Sequence, residues 1–189
     1  MKTDTVVKEK LFFFKKYLTQ KRHIGAVVPS SRFLARAVCK HLDLSRAKVV
    51  VELGAGTGVL TREITRRIPE NCDLVIVERD HEFAEMLKNK FYGSHVWLTE
   101  AQNMHRYLEE HHFEQVDYFI SGLPFRSLPK EVGQEILEIV HDYLTPGGAF
   151  VAYSYFANTY FLFKKFFRSV KVDFVLRNIP PAFVYYCRK

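Results

Sequence analysis

From Val49 onward the sequence alternates short apolar runs with amphipathic ones. KVVVEL (48–53), DLVIVE (73–78), HVWLTEA (95–101), VDYFIS (116–121) and AFVAYSY (149–155) are rich in β-branched and aromatic residues and read as strands. Between them, GVLTREITRRI (58–68), HEFAEMLKNKF (81–91) and LPKEVGQEILEIVHDYL (128–144) place apolar residues at helical spacing. TPGG (145–148) reads as a turn, and NIPPAFVY (178–185) as part of a closing hairpin shaped by Pro180-Pro181. Strands alternating with helices predict an α/β fold, a parallel sheet covered on both faces. No internal repeat or low-complexity linker interrupts the pattern, so residues 49–189 read as one domain.

Two helices are predicted ahead of the first strand. In the opening one Val7, Leu11, Phe14 and Leu18 form one stripe, widened by Val6, Phe13 and Tyr17. Lys8, Lys15 and Lys16 lie elsewhere, with Phe12 among them. Such a helix can dock on the domain with a solvated basic face. It can equally lie in a membrane interface, apolar face in lipid and lysines on anionic headgroups, and an apolar Phe12 among lysines favours the second. The next helix, within FLARAVCKHL (33–42), has Ser30 or Ser31 as its cap.

Charge sharpens this division. Residues 1–48 hold 12 Lys/Arg and 3 Asp/Glu, against 16 and 18 in the rest of a chain whose net charge is +7. The basicity belongs to a helical segment, 1–48, that precedes and packs on the domain 49–189, and it points toward phosphate groups of a membrane or a nucleic acid. KEKLFFFKKYL (8–18) is not a leader peptide, because Lys15 and Lys16 cut its apolar run short. No run reaches the ~18 apolar residues of a spanning helix. The three cysteines leave an odd count and no CxxC pair, so neither a zinc site nor a redox motif is indicated and a reducing, cytoplasmic setting is expected. The histidines make no metal constellation; His111 and His112 sit together in a polar connection.

The chemistry begins at ELGAGTG (52–58), which leaves a strand and opens a helix. Glycines there let backbone approach a ligand. The loop lacks the GxGxxG spacing of a dinucleotide site. Glu52, Glu78 and Glu100 stand at the ends of three successive predicted strands, converging on the crevice where open α/β sheets bind ligands. The arrangement resembles the class I S-adenosylmethionine-dependent methyltransferases over roughly 49–155. That resemblance implies a Rossmann-like, mostly parallel seven-stranded sheet. It also implies that Gly54, Ala55, Gly56, Thr57 and Gly58 line the cofactor, with Glu52 at its amino end, Glu78 and Arg79 at the ribose, and Glu100 with Ala101 at the adenine. The family often has Asp where Glu100 stands.

ISGLPFRSLP (120–129) ends the fourth predicted strand without an acid, a histidine or an asparagine. Amine-modifying methyltransferases carry Asn/Asp-Pro-Pro-aromatic at this place, or Asn-Leu-Pro-Tyr in the ribosomal adenine dimethyltransferases. Here Gly122 replaces the side-chain acceptor that holds a weakly nucleophilic adenine amine. An aliphatic amine, once deprotonated, needs mainly positioning. Ser121 and the Leu123 carbonyl can orient it, beside Pro124 and Phe125.

Nearly the whole chain is similar to the bacterial phosphatidylethanolamine N-methyltransferases and their relatives acting on ornithine lipids. FFFKKYL (12–18), GAVVPSSRFLA (25–35), VVELGAGTGVLT (50–61), SGLPFRSLP (121–129) and NIPPAFVYY (178–186) carry the similarity. It implies S-adenosylmethionine as cofactor, Ser30 and Ser31 near it, and Ser121 at the cofactor as well as the amine. It also implies a phospholipid amine as substrate and a peripheral enzyme whose Phe12, Lys15 and Lys16 meet an anionic membrane. No obligate protein partner is implied. Relatives carry a glutamine ahead of a Thr-Tyr pair on the fifth strand, where this chain has Ala152-Tyr153-Ser154-Tyr155. The kept Tyr155 is, with Ser121, the candidate for relaying the amine's proton. The rival is an RNA adenine N6-methyltransferase with a basic phosphate-binding arm. The missing Asn and the absence of a C-terminal helical domain argue against it, and nucleic acid is not an expected partner. In 156–171, Tyr160, Phe163 and Phe167 share a face that reads as core, leaving Phe161 and Phe166 for the surface.

Overall fold

The computed structural model describes residues 31–189. Phe12, Lys15, Lys16 and Ser30, with the rest of the N-terminal stripe, lie outside the described residues. The strands are β1 (Val49–Leu53), β2 (Asp73–Glu78), β3 (His95–Leu98), β4 (Val116–Ser121), β5 (Leu144–Ser154), β6 (Ser169–Val175) and β7 (Ala182–Arg188). They form one sheet in the order β3-β2-β1-β4-β5-β7-β6, parallel through β5, with β7 antiparallel to both of its neighbours. The helices are α1 (Arg32–Val38), α2 (Val59–Thr65), α3 (His81–Lys90), α4 (Met104–Glu110), α5 (Lys130–Tyr143) and α6 (Thr159–Phe163). This is the Rossmann-like class I methyltransferase fold.

Alternation along each strand sends side chains to two cores. On one face Val50, Ile76, Ile120, Val151 and Val184 pack with Leu34 and Val38 of α1, Leu60 and Ile64 of α2, and Leu87 of α3. On the other, Val51, Val77, Phe119, Phe150 and Tyr185 pack with Met104 and Leu108 of α4, Leu137 of α5 and Phe163 of α6. Each fully buried Leu contributes about 1.5–3 kcal/mol.

Of the two candidate caps, Ser31 stands at the N-terminus of α1, its Oγ accepting the Leu34 N–H at 3.1 Å. The Tyr186 hydroxyl donates to the Ala37 carbonyl, fastening α1 to β7. Because β6 runs with β5, the C-terminal ends of β1–β6 and the β6–β7 turn (176–181) share one edge of the sheet. Among the described residues no helix is long and apolar enough to cross a membrane.

Four elements differ from the sequence expectation. β5 begins at Leu144, so TPGG (145–148), expected as a turn, lies within the strand. β3 stops at Leu98, and Ala101–Asn103 forms a 3-10 turn instead of continuing the strand. α4 is a short helix whose only buried side chains, Met104 and Leu108, one turn apart, gave too little periodicity to register. β6 is an outer strand with exposed residues on both faces, so it shows no clean alternation.

Candidate active site

Strand order reverses between β1 and β4, the switch point where open α/β sheets bind ligands. The Gly54 N–H donates to the Val77 carbonyl and the Gly122 N–H to the Leu53 carbonyl, each at 2.8 Å. The β1 and β4 loops therefore leave the sheet side by side. A Cβ at Gly122 would stand 2.6 Å from the Gly54 carbonyl oxygen. Gly54 itself has φ +73°, and a Cβ there would stand 2.8 Å from Leu123 Cδ2. The β4 loop carries no side chain at position 122 because the β1 loop occupies the space it would need.

On the cofactor side Glu52 is fully buried, and neither carboxylate oxygen has a hydrogen-bond partner among the described residues. Burial pushes its pKa up to about 8; the adjacent Thr61 opposes the shift without reaching hydrogen-bonding geometry, and the Glu78 charge adds to it. Ionised, a carboxylate buried here calls for a cation. Glu78 is buried too, Oε2 accepting the Gly56 N–H and Oε1 the Asp80 N–H, both at 2.9 Å. Each oxygen keeps acceptor capacity for a hydroxyl. The space a Cβ at Gly56 would enter is empty within 4 Å. An ammonium at Glu52, a ribose diol at Glu78 and open space over Gly56 fit S-adenosylmethionine.

The remaining cofactor-side residues are placed around this centre. Ala55 is buried, the Thr57 carbonyl accepts Lys90 Nζ at 3.2 Å, and Gly58 is the N-cap of α2. Arg79 is exposed. Glu100 is exposed, two residues past β3, accepting the Gln102 amide at 2.7 Å beside buried Ala101.

On the substrate side Ser121 is buried, and its Oγ accepts the Leu123 N–H at 3.1 Å. The Leu123 carbonyl accepts the Phe125 N–H at 3.0 Å and keeps a second lone pair. Phe125 turns inward, edge-on to Phe150 and Phe163, and anchors the loop, while Leu123 and Pro124 stay half-buried at its surface. Tyr155 lies just past β5; burial raises its pKa, and the Asn178 side chain within hydrogen-bonding reach opposes that.

Asn178 is the site residue that sequence reasoning missed. It is 1% exposed, its Oδ1 accepts the Ser31 N–H at 3.1 Å, and its Nδ2 donates to the Pro180 carbonyl at 2.7 Å. It ties Ser31, ahead of α1, to the Pro-Pro turn, with Tyr155 past the end of β5 within reach. Its signal was its place at the head of NIPPAFVYY, a stretch that carries the family similarity but gave the Asn itself no role.

The methyltransferase small domain matches residues 27–175. The chain is 34% identical over 186 residues to the Ornithine lipid N-methyltransferase of Singulisphaera acidiphila, covering 96% of this chain and 97% of that protein. It is 26% identical over 109 residues to the Ribosomal RNA small subunit methyltransferase A of Mycoplasma mycoides, covering 56% of this chain and 40% of that protein. Among solved structures, the precorrin-6y C5,15-methyltransferase of Geobacter metallireducens superposes with a TM-score of 0.67 at 19% identity, covering 90% of this chain and 95% of that one. A T. thermophilus 16S rRNA methyltransferase solved with AdoMet and guanosine gives 0.62 at 21% identity, covering 87% of this chain and 44% of that one. These two likenesses concern the fold alone.

Proposed function

The chain belongs to the methyltransferase small domain family and is an S-adenosylmethionine-dependent methyltransferase; from that premise we propose that its substrate is the amine headgroup of a membrane lipid. The headgroup assigned is phosphatidylethanolamine, with its mono- and dimethyl forms, on the way to phosphatidylcholine. The observation that carries this reading is the 2.6 Å approach between a Cβ at position 122 and the Gly54 carbonyl. It leaves the site no side-chain acceptor there for an adenine amine, and only the Leu123 carbonyl and Ser121 hydroxyl to orient an aliphatic one. Similarity along nearly the full length of a lipid-modifying relative supports the same class.

When bound, S-adenosylmethionine supplies a methyl group on a sulfonium. The protein's part is to present a neutral amine to it. An alkylammonium has a reference pKa near ~10.4, so a proton must leave before each transfer, and burial beside a cation favours its loss. Tyr155, held neutral by burial, acts as a relay and not as a permanent base. Tyr155→Phe is expected to lower turnover at saturating lipid at least ~10-fold; undiminished turnover would remove the tyrosine from the proton path. The enzyme then works at a membrane surface from the cytoplasmic side, its basic N-terminal segment facing anionic lipid.

The deciding experiment offers labelled cofactor with phosphatidylethanolamine vesicles, ornithine-lipid vesicles and structured RNA in separate reactions. Label in the lipid phase, resolved into mono-, di- and trimethyl headgroups, is the expected result. Transfer to ornithine lipid alone would keep the lipid-amine class and replace the headgroup. Transfer to RNA alone would overturn the reading and mean that the loop holds adenine without an asparagine.

A further inference from the structure

The sheet edge that opens at the active site is divided in charge. The carboxyl ends of β1 and β2 and the loops after β2 and β3 bring Glu52, Glu78, Asp80 and Glu100 to it, with Arg79 and the Lys90 ammonium, bonded to the Thr57 carbonyl, as cations beside them. The other half of the edge has the opposite character. Loop 122–129, loop 155–158, the β6–β7 turn 176–181 and the first residues of α1 contribute Arg126, Arg177 and Arg32, and no Asp or Glu. The acidic half suits a cationic cofactor; the basic half suits an anionic partner.

That basic half is also where exposed apolar side chains gather. Leu176 is 72% exposed and Ile179 86%, the exposed large apolar side chains of the β6–β7 turn. On either side stand Phe156, with the Arg126 guanidinium 5.7 Å above its ring, and Phe33, with Arg177 at 5.6 Å. Both rings are themselves exposed. The framework beneath is fixed. The Tyr185 hydroxyl donates to the Phe156 and Ala157 carbonyls at 2.8 and 3.1 Å, and Asn178 holds the turn to Ser31. Apolar tips collared by guanidinium groups on a rigid edge have the chemistry of interfacial insertion: the tips enter the acyl boundary while the arginines meet phosphate.

We propose that this edge docks on an anionic bilayer, with Leu176 and Ile179 as the inserted tips and Arg32, Arg126 and Arg177 as the headgroup contacts. Docked in this way, the carboxyl ends of β4 and β5 face the headgroup layer, so a lipid amine reaches Ser121 and Leu123 while its chains stay in the membrane. The choice of a bilayer rests on the lipid-amine reading, but docking is measured without turnover, so the two fail separately.

The test uses the full chain and vesicles of phosphatidylglycerol and phosphatidylcholine, which offer no methylatable amine. Expected results are at least ~10-fold weaker vesicle partitioning for Leu176→Asp/Ile179→Asp and for Arg177→Glu, with salt weakening the wild type. Cofactor affinity should be unchanged in both, which establishes that the variants are folded. In a second measurement Ile179→Trp is expected to shift its emission to the blue on adding vesicles, against a background of the single buried Trp97. Wild-type partitioning by the double Asp variant, or a Trp at 179 that stays solvent-like on bound vesicles, overturns the proposal. So does a double variant that only converts a dimer to a monomer, which would assign the edge to a second copy of the chain.

Discussion

Gly122→Asn, which restores the adenine-type acceptor to the loop, is expected to abolish methyl transfer without creating activity on RNA. The new Cβ would fall 2.6 Å from the Gly54 carbonyl oxygen, and that oxygen belongs to backbone with little freedom to retreat. Gly54 is held by its bond to Val77 and Gly122 by its bond to Leu53, both at 2.8 Å. Relief therefore requires one of the two loops to leave the sheet. Moving the β1 loop disturbs Gly56, whose N–H is bonded to Glu78, and moving the β4 loop displaces Ser121 and Leu123. Even Gly122→Ala carries this clash and is expected to cost about 1–3 kcal/mol, or roughly 2–12 °C in Tm for a chain of this size. Its kcat/KM should fall at least ~100-fold, since an ångström of misplacement at the reacting centre costs about that much. An Ala variant with wild-type Tm and turnover would mean that the loops separate freely, and the steric account of the glycine would be lost.

This pair of glycines also marks the limit of what could be read without coordinates. The order of β1–β5 with helices α1, α2, α3 and α5, the glycine loop, and the acids Glu52 and Glu78 at strand ends were legible because each is a local pattern: alternation, a turn, a position relative to a strand. That Gly122 lacks a side chain was legible as well, but its reason was not, since the atom it avoids lies 68 residues away in sequence. Asn178 was hidden for the same cause: its partner Ser31 is 147 residues away in sequence and reaches it only once α1 has packed on β6 and β7. β6 was missed for another reason. An outer strand with one hydrogen-bonded neighbour and both faces partly in solvent loses the two-residue alternation that identifies buried strands. The division of the sheet edge into an acidic and a basic half required the direction of every strand to be known first.

Glu52→Gln should separate two effects of one buried carboxylate. In the free protein burial holds the pKa near 8, above its ordinary 4.5, so the native state binds a proton that the unfolded chain gives up at lower pH. The stabilising contribution is complete below about 4.5 and is lost as pH rises toward and through 8. Stability should therefore fall across that window, by at most about 1.4 kcal/mol per pH unit from this group. Glu52→Gln is expected to remove that slope and to be more stable than wild type above pH 8. Cofactor binding should respond in the opposite sense. If Glu52 is the partner of the cofactor's ammonium, it must be ionised in the complex, and binding at pH 7 releases a proton that calorimetry in buffers of different ionisation enthalpy counts. The Gln variant should release none and bind roughly 150- to 5,000-fold more weakly, because breaking a buried charge pair costs about 3–5 kcal/mol. A Gln variant that is stabilised at high pH yet binds the cofactor as tightly as wild type, with the same proton count, would leave Glu52 as a strained core residue and move the ammonium site elsewhere.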